Sequence, residues 1–278
     1  MENSLFSVKD KVVVLTGGTG ILGSDMARHF AKEKAVVVVL DLNEEAGVKL
    51  EEELKKDGGK ALFLKTNVLN KEILEQNCKD IVDAFGRIDV LINLAGGNMA
   101  GATIPPEKTF FDLDIDAFRK VVELNLFGTV IPTMVFAKVM VDQKKGSIIN
   151  VSSESALRPL TRVVGYGSAK AAISNFTQYM AGELALKFGE GLRVNAIAPG
   201  FFLTDQNRAL EKDCVAINFF NNNTALSIIS FLLNQCSCTN IINIGSMFNY
   251  HFFYSCINGF ICVINFRYHT CCYNAILF

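Results

Sequence analysis

Between Lys11 and Leu210 the chain alternates short, almost continuous apolar runs with longer stretches in which apolar residues recur every three or four positions. Val12–Thr16, Ala35–Asp41, Ala61–Lys65, Val90–Asn93, Ser147–Val151 and Arg193–Ala198 read as strands rich in Val, Ile and Leu. Ile21–Lys34, Glu44–Lys56, Lys71–Phe85, Ile115–Val141 and Ser168–Phe188 read as the helices between them. A strand covered on both faces has no polar side with which to alternate. The order therefore predicts an α/β fold: a doubly wound parallel sheet, the middle of three layers. In such sheets a ligand sits at the carboxyl ends of the strands, near the point where strand order reverses.

The pattern stops after Leu210. Beyond Asp213, Arg267 is the sole Lys, Arg, Asp or Glu, whereas seven of the eight cysteines fall there. Folded domains keep about a quarter of their residues charged. Two regions are therefore expected: a domain over 1–210 and an atypical tail over 211–278 rich in Cys, Asn, Phe and Ile. Thr224–Leu233 and Ile257–Phe266 are apolar, but polar residues interrupt them short of the roughly 20 residues that span a bilayer. Such runs are what AT-rich codons give in any frame, so the tail fits an out-of-frame or rearranged end; a separate novel domain is the alternative. Cys236-x-Cys238 and Cys271-Cys272 lack a second pair at zinc-like spacing, and no metal is expected.

A formal net charge of −1 leaves no basic surplus for nucleic acid. Met1–Lys11 is polar and mixed in charge, unlike a secretion signal, so the expected compartment is cytoplasmic, with neither a membrane partner nor a disulfide framework.

Chemistry enters with Thr16-Gly-Gly-Thr-Gly-Ile-Leu-Gly23, between the first strand and the first helix. Gly17, Gly20 and Gly23 allow a tight turn and a close backbone approach to a pyrophosphate, whose charge the helix N-terminus meets. Thr16, Thr19 and Ile21 complete that loop. Asp41 ends the second strand, where a carboxylate hydrogen-bonds a ribose 2′-hydroxyl and repels a 2′-phosphate. Leu42 offers no positive charge, so NAD is favoured over NADP. The three-residue glycine spacing also occurs in extended sugar-nucleotide epimerases, which remain a rival.

Tyr166 and Lys170 stand four positions apart at the start of a helical segment and share one face. A tyrosine hydroxyl has a pKa near 10; an adjacent ammonium, with a positive nicotinamide, is expected to lower it and make the phenol a proton exchanger. Ser153, at a strand end 13 residues earlier, can add a hydrogen bond to a substrate carbonyl oxygen.

Asn150-Val-Ser-Ser153 with Tyr166-Gly-Ser-Ala-Lys170 resembles the active-site signature of the short-chain dehydrogenase/reductases, over roughly residues 6 to 210. That resemblance implies a Rossmann-like fold and an NAD-dependent oxidoreductase interconverting a secondary alcohol and a ketone. It also implies roles for residues that the pattern alone does not single out. Asn93-Leu-Ala95-Gly96 is similar to the family's Asn-Asn-Ala-Gly motif, with Leu94 in place of the second Asn. Asn125 matches the Asn of the family's proton relay. Asn67 stands where an Asp usually lies beside the adenine, followed by Val68. Pro199-Gly200 and Thr204 match the loop that holds the nicotinamide carboxamide. The Asn-x-Ala-Gly motif and the Ser–Tyr interval favour the short-chain class over the epimerases.

More locally, Leu-Ala-Gly-Gly-Asn98, the loop Glu154 to Arg162 and Ala-Pro-Gly-Phe-Phe-Leu-Thr-Asp-Gln-Asn-Arg208 resemble the D-mannonate oxidoreductase (fructuronate reductase) branch. This implies a sugar-acid substrate, with Arg158 or Arg162 gripping its carboxylate and Asn98, Ser153 and Gln206 reading oxygens. A generic polyol or 3-oxoacyl reductase is the alternative; so is an inactive product whose tail cannot close the pocket. Homo-oligomers are usual in the family, but the tail puts assembly in question. Without the family's last strand, an open sheet edge and low solubility are expected.

Overall fold

The computed structural model of the chain describes residues 7–56, 58–158, 160, 162–200 and 262–265. Six strands run parallel: β1 (Val12–Thr16), β2 (Val36–Asp41), β3 (Lys60–Lys65), β4 (Val90–Asn93), β5 (Gly146–Val151) and β6 (Leu192–Ala198). With β7 (Cys262–Asn265) the order across the sheet is β3-β2-β1-β4-β5-β6-β7. The chain builds outward from β1 through β2 to β3, then returns to lay β4 on the other side of β1. Thr16 pairs with Asn93 in that register, so the loops leaving β1 and β4 open side by side. That reversal is where this architecture makes its crevice.

Successive strand residues point to opposite faces, and each face finds its own helices. Val13, Leu15, Val37 and Val39 meet Met26 and Phe30 of α1 (Ile21–Lys32) and Leu50 and Leu54 of α2 (Glu44–Lys56). Val12, Val14, Val36 and Val38 meet the opposite layer. Its members are Leu74 and Ile81 of α3 (Lys71–Phe85), Phe136 and Met140 of α5 (Gly128–Asp142), and Ala181 and Leu184 of α6 (Val164–Phe188). The expected three-layer α/β fold is the observed one.

Three departures from the sequence reading have local causes. The helix expected over 115–141 is α4 (Ile115–Val122), a π-helical turn (Glu123–Phe127) and α5. Pro132, inside α5, has no N–H to give the carbonyl one turn back, which loosens the regular ladder there. The continuous run 115–142 has bilayer-spanning length and hydropathy, yet half of its most apolar window is buried, and Val121, Phe136 and Met140 lie in the interior. It is the core helix of this fold. Second, α6 starts at Val164, four residues before the expected Ser168; Val163 caps it with no side-chain hydrogen bond, so no capping residue announced it.

Third, the edge beyond β6 is occupied. Cys262–Asn265 lies antiparallel to it, pairing Ala196 with Ile264 and Ala198 with Cys262. The open edge expected from loss of a parallel final strand is thus corrected: a strand from the tail satisfies part of that ladder. The boundary at Leu210 and the apolar stretch Thr224–Leu233 lie outside the described residues.

Phe30 is fully buried between α1 and the sheet. Phe30→Ala should lower unfolding free energy by about 3–5 kcal/mol, read as a shift of the urea midpoint at unchanged slope.

Candidate active site

A cleft of about 680 Å³ opens at the reversal, lined by residues at and after the ends of the six parallel strands and by the first two turns of α6. Its floor is the contact of two loops. Thr16 Oγ1 accepts from Leu94 N and Ala95 N, both at 3.2 Å. Gly17 has φ +63°, and a Cβ there would lie 2.8 Å from the Ala95 backbone, so a side chain is excluded by both conformation and space.

The residues present fit a dinucleotide. Gly20 caps α1 without a side-chain hydrogen bond, and the first turn carries no acid, so its free N–H groups face the cleft with the positive end of the helix dipole. Ile21, at the position of a family glycine, is half exposed and lines the cleft. At the far end, Asp41 Oδ2 accepts from Thr19 N and Oδ1 from Asn43 N, both at 3.0 Å. These bonds orient the carboxylate while leaving lone pairs for ribose hydroxyls. Asn67 and Val68 line the same end; Asn67 Oδ1 caps its own turn through Leu69 N at 3.0 Å.

At the other end Tyr166 and Lys170 line the cleft together, the Lys170 Nζ 5.5 Å from the Tyr166 ring centroid. Tyr166 is hydrogen-bonded to Ser153, whose Oγ also accepts from Ser155 N at 3.2 Å. Lys170 Nζ donates to Val151 O at 2.7 Å. Its own carbonyl accepts from Ser152 Oγ at 3.0 Å and Ser174 Oγ at 3.2 Å, which ties α6 to the end of β5. Asn125, inside the π-turn, donates to Gly97 O (2.8 Å) and Val121 O (2.8 Å) and accepts from Gly97 N (3.0 Å). A Cβ on Gly96 would stand 2.5 Å from Asn125 Oδ1 and 3.6 Å from Lys170 Nζ, so these two side chains converge over a backbone with room for hydrogen alone.

Burial governs both titrating groups. It pushes the Lys170 ammonium down to about 7, and holds the Tyr166 phenol above its ordinary value, against the opposing Ser153 hydrogen bond. A lysine that has lost much of its proton near neutrality brings only part of a charge to the phenol.

The structure sorts the other expected residues. Gly23, Ala95, Pro199 and Gly200 line the cleft. Thr16 and Asn93 stand behind it, fully buried; Asn93 Nδ2 donates to Thr133 Oγ1 (3.0 Å) and Asn150 Oδ1 (2.9 Å). Arg158 is paired with Glu154 at 3.3 Å. Arg162 Nε donates to Ile104 O at 2.7 Å, and Asn98 Nδ2 to Thr103 Oγ1 at 2.6 Å. Thr204 and Gln206 lie outside the described residues. Asn43, Thr66, Gly97 and Ser152 also line the cleft; they adjoin the recognised motifs, and that adjacency was the available signal.

The model of the short chain dehydrogenase family matches residues 11–215. The chain belongs to the short chain dehydrogenase family. It is an oxidoreductase family. An uncharacterized oxidoreductase of Haemophilus influenzae is 44% identical over 215 residues, covering 73% of this chain and 74% of that protein. Among solved structures, a candidate D-mannonate oxidoreductase of the same genus, with bound NAD, superposes with a TM-score of 0.75 at 37% identity, over 84% of this chain and 91% of that one. A xylitol dehydrogenase with bound NAD+ gives 0.71 at 27% identity, over 81% and 93%.

Lys170 makes a pH signature. Its folded value near 7 lies below its unfolded value near 10.5, so the unfolded chain binds more protons between them and stability rises with pH across that window. Cofactor-free protein should become harder to unfold from pH 7 to 9.5, below the Tyr166 range, and Lys170→Met should flatten the rise. Denaturant midpoints at four pH values check it; a parallel rise in both proteins would assign it elsewhere.

Proposed function

We propose that the chain is an NAD-dependent oxidoreductase that interconverts a secondary alcohol and a ketone on a sugar acid of the D-mannonate/fructuronate type. The observation that carries the reading is the pairing of two ends of one cleft. Asp41 stands at one end, and the Ser153–Tyr166–Lys170 group at the other. Asp41 would hold the adenosine ribose and reject a 2′-phosphate; Gly17, Thr19, Gly20 and the start of α1 would hold the pyrophosphate; Pro199 and Gly200 would border the nicotinamide. The bound nicotinamide supplies or accepts the hydride.

The protein's part is the proton and the developing charge. Ser153 and Tyr166 point one hydrogen-bonding pair at a substrate oxygen, and Tyr166, kept protonated by burial, gives its proton to that oxygen in the reducing direction. Lys170 stabilises the phenolate left behind, taking up its own charge as negative charge appears beside it. Asn125 uses its amide on Gly97 and Val121, so any part in a proton relay falls to its main-chain carbonyl. The sugar-acid reading draws on the similarity to the candidate D-mannonate oxidoreductase and to the xylitol dehydrogenase. We further assign self-association to the outer faces of α5 and α6, where Met134, Tyr179, Leu186 and Phe188 leave a row of exposed apolar side chains.

NADH should bind more tightly than NADPH, with Asp41→Ala narrowing the gap; fluorescence titration of the unmodified protein showing equal affinities would remove the assignment. With fructuronate, Tyr166→Phe should reduce turnover by at least about a thousandfold while NADH binding is retained. Substantial turnover by that variant would show that the proton takes another path.

A further inference from the structure

Beyond Asp41, the end of the cleft far from Tyr166 carries three polar side chains: Asn43, Thr66 and Asn67. The backbone brings them together. Asp41 pairs with Lys65 across β2 and β3, and Asp41 O accepts from Thr66 N at 2.8 Å, so Asn67 stands one residue past that bond. A ribose held by Asp41 therefore carries its base onto the surface where the loops after β2 and β3 meet. Leu42, 61% exposed, and Val68 give that surface apolar contact for the ring faces. The ring edge is left to the polar side chains.

Those side chains are already oriented. Thr66 is buried and turned inward: its Oγ1 donates to Leu64 O at 2.8 Å and accepts from Asn77 Nδ2 at 2.7 Å. Asn43 Oδ1 accepts from Ala46 N at 3.1 Å, at the start of α2. Asn67 Oδ1 accepts from Leu69 N at 3.0 Å and closes its own turn. A main-chain N–H can be accepted by the oxygen of an amide and not by its NH2, so these two bonds decide which way each amide faces. Both asparagines spend an oxygen lone pair on the main chain, and among the described residues neither Nδ2 has a hydrogen-bond partner. Asn67 is exposed in the cleft wall, with its NH2 to offer.

We propose that Asn67 is the base-selecting residue of the cofactor site, and that it relaxes the choice between an amino and an oxo group on the purine edge. Its Nδ2 donates to the oxo group of hypoxanthine, and the remaining lone pair of its Oδ1 accepts from the exocyclic amine of adenine. The chain thus takes nicotinamide hypoxanthine dinucleotide alongside NAD. A carboxylate at this place can only accept, and would set one acceptor against another when the base carries an oxo group. The inference rests on the NAD reading above and deepens it at the opposite end from the chemistry.

The test is a binding measurement and needs no turnover. The unmodified protein is titrated with NADH and with reduced nicotinamide hypoxanthine dinucleotide, following nicotinamide fluorescence. The two dissociation constants should agree within about threefold. Asn67→Asp retains an acceptor for Leu69 N, so the turn is kept. This variant should raise the ratio of the hypoxanthine to the adenine dissociation constant by about tenfold. The ratio compares two bases on the same ribose and pyrophosphate, so changes elsewhere in the site cancel from it. Equal affinity for NADH and NADPH would remove the Asp41 assignment and leave this one standing. The proposal is overturned if the unmodified protein favours NADH over the hypoxanthine form by about tenfold or more, or if Asn67→Asp shifts the ratio by less than about threefold. Binding of neither dinucleotide overturns it together with the cofactor reading.

Discussion

One hydroxyl joins the halves of the cleft. Thr16 ends the central strand on the side where the sheet reverses, and its Oγ1 takes two backbone N–H groups from the loop of the neighbouring strand. Those amides would otherwise be left unpaired at the bottom of a crevice. The bond works because Gly17 brings no side chain between the loops. Everything above is registered on that contact: the start of α1 on one side, and on the other Gly96 and Gly97, through which Asn125 reaches the catalytic end.

Behind the contact the core is polar where a sheet core is usually greasy. Asn93 binds Asn150 and Thr133; Asn150 Nδ2 donates to Thr177 Oγ1 at 2.9 Å; Thr133 and Thr129 return to the carbonyls one turn back, the last of them that of Asn125. The chain is buried throughout, so each bond acts in a medium that screens it little, and losing one would strand its partner. It ties β4 and β5 to α5, which follows the π-turn that holds Asn125, and to α6, which carries Lys170. Site geometry is thereby set from inside the sheet, and the loops inherit it.

How much of this was legible depended on whether a residue's job is local. Strands such as Val36–Asp41 declare themselves through unbroken apolar runs, and Asp41 and the Tyr166–Lys170 spacing through position alone. The π-turn was hidden because Glu-Leu-Asn-Leu-Phe has ordinary helical character; the proline nearby that loosens the ladder gave the one hint. The strand Cys262–Asn265 could not be foreseen, since three apolar residues and an asparagine in a tail without periodicity carry no mark of the partner they will choose.

The π-turn has a consequence for how this chain can change over time. Each residue advances a helix by about 100°, so the extra residue in the turn sets the angular phase of all that follows in α5. Ahead of it Val121 faces inward; after it Thr129, Thr133, Phe136 and Met140 do. Deleting one residue between 122 and 128 would turn that whole row by about 100°, bringing exposed Met134 into the buried place of Thr133 and Phe136 into that of Val135, which holds a smaller side chain. Asn125 and the hydrophobic face of α5 are consequently locked to one length. Substitutions can accumulate along this helix, whereas a change of a single codon in number would dismantle the site and the core together.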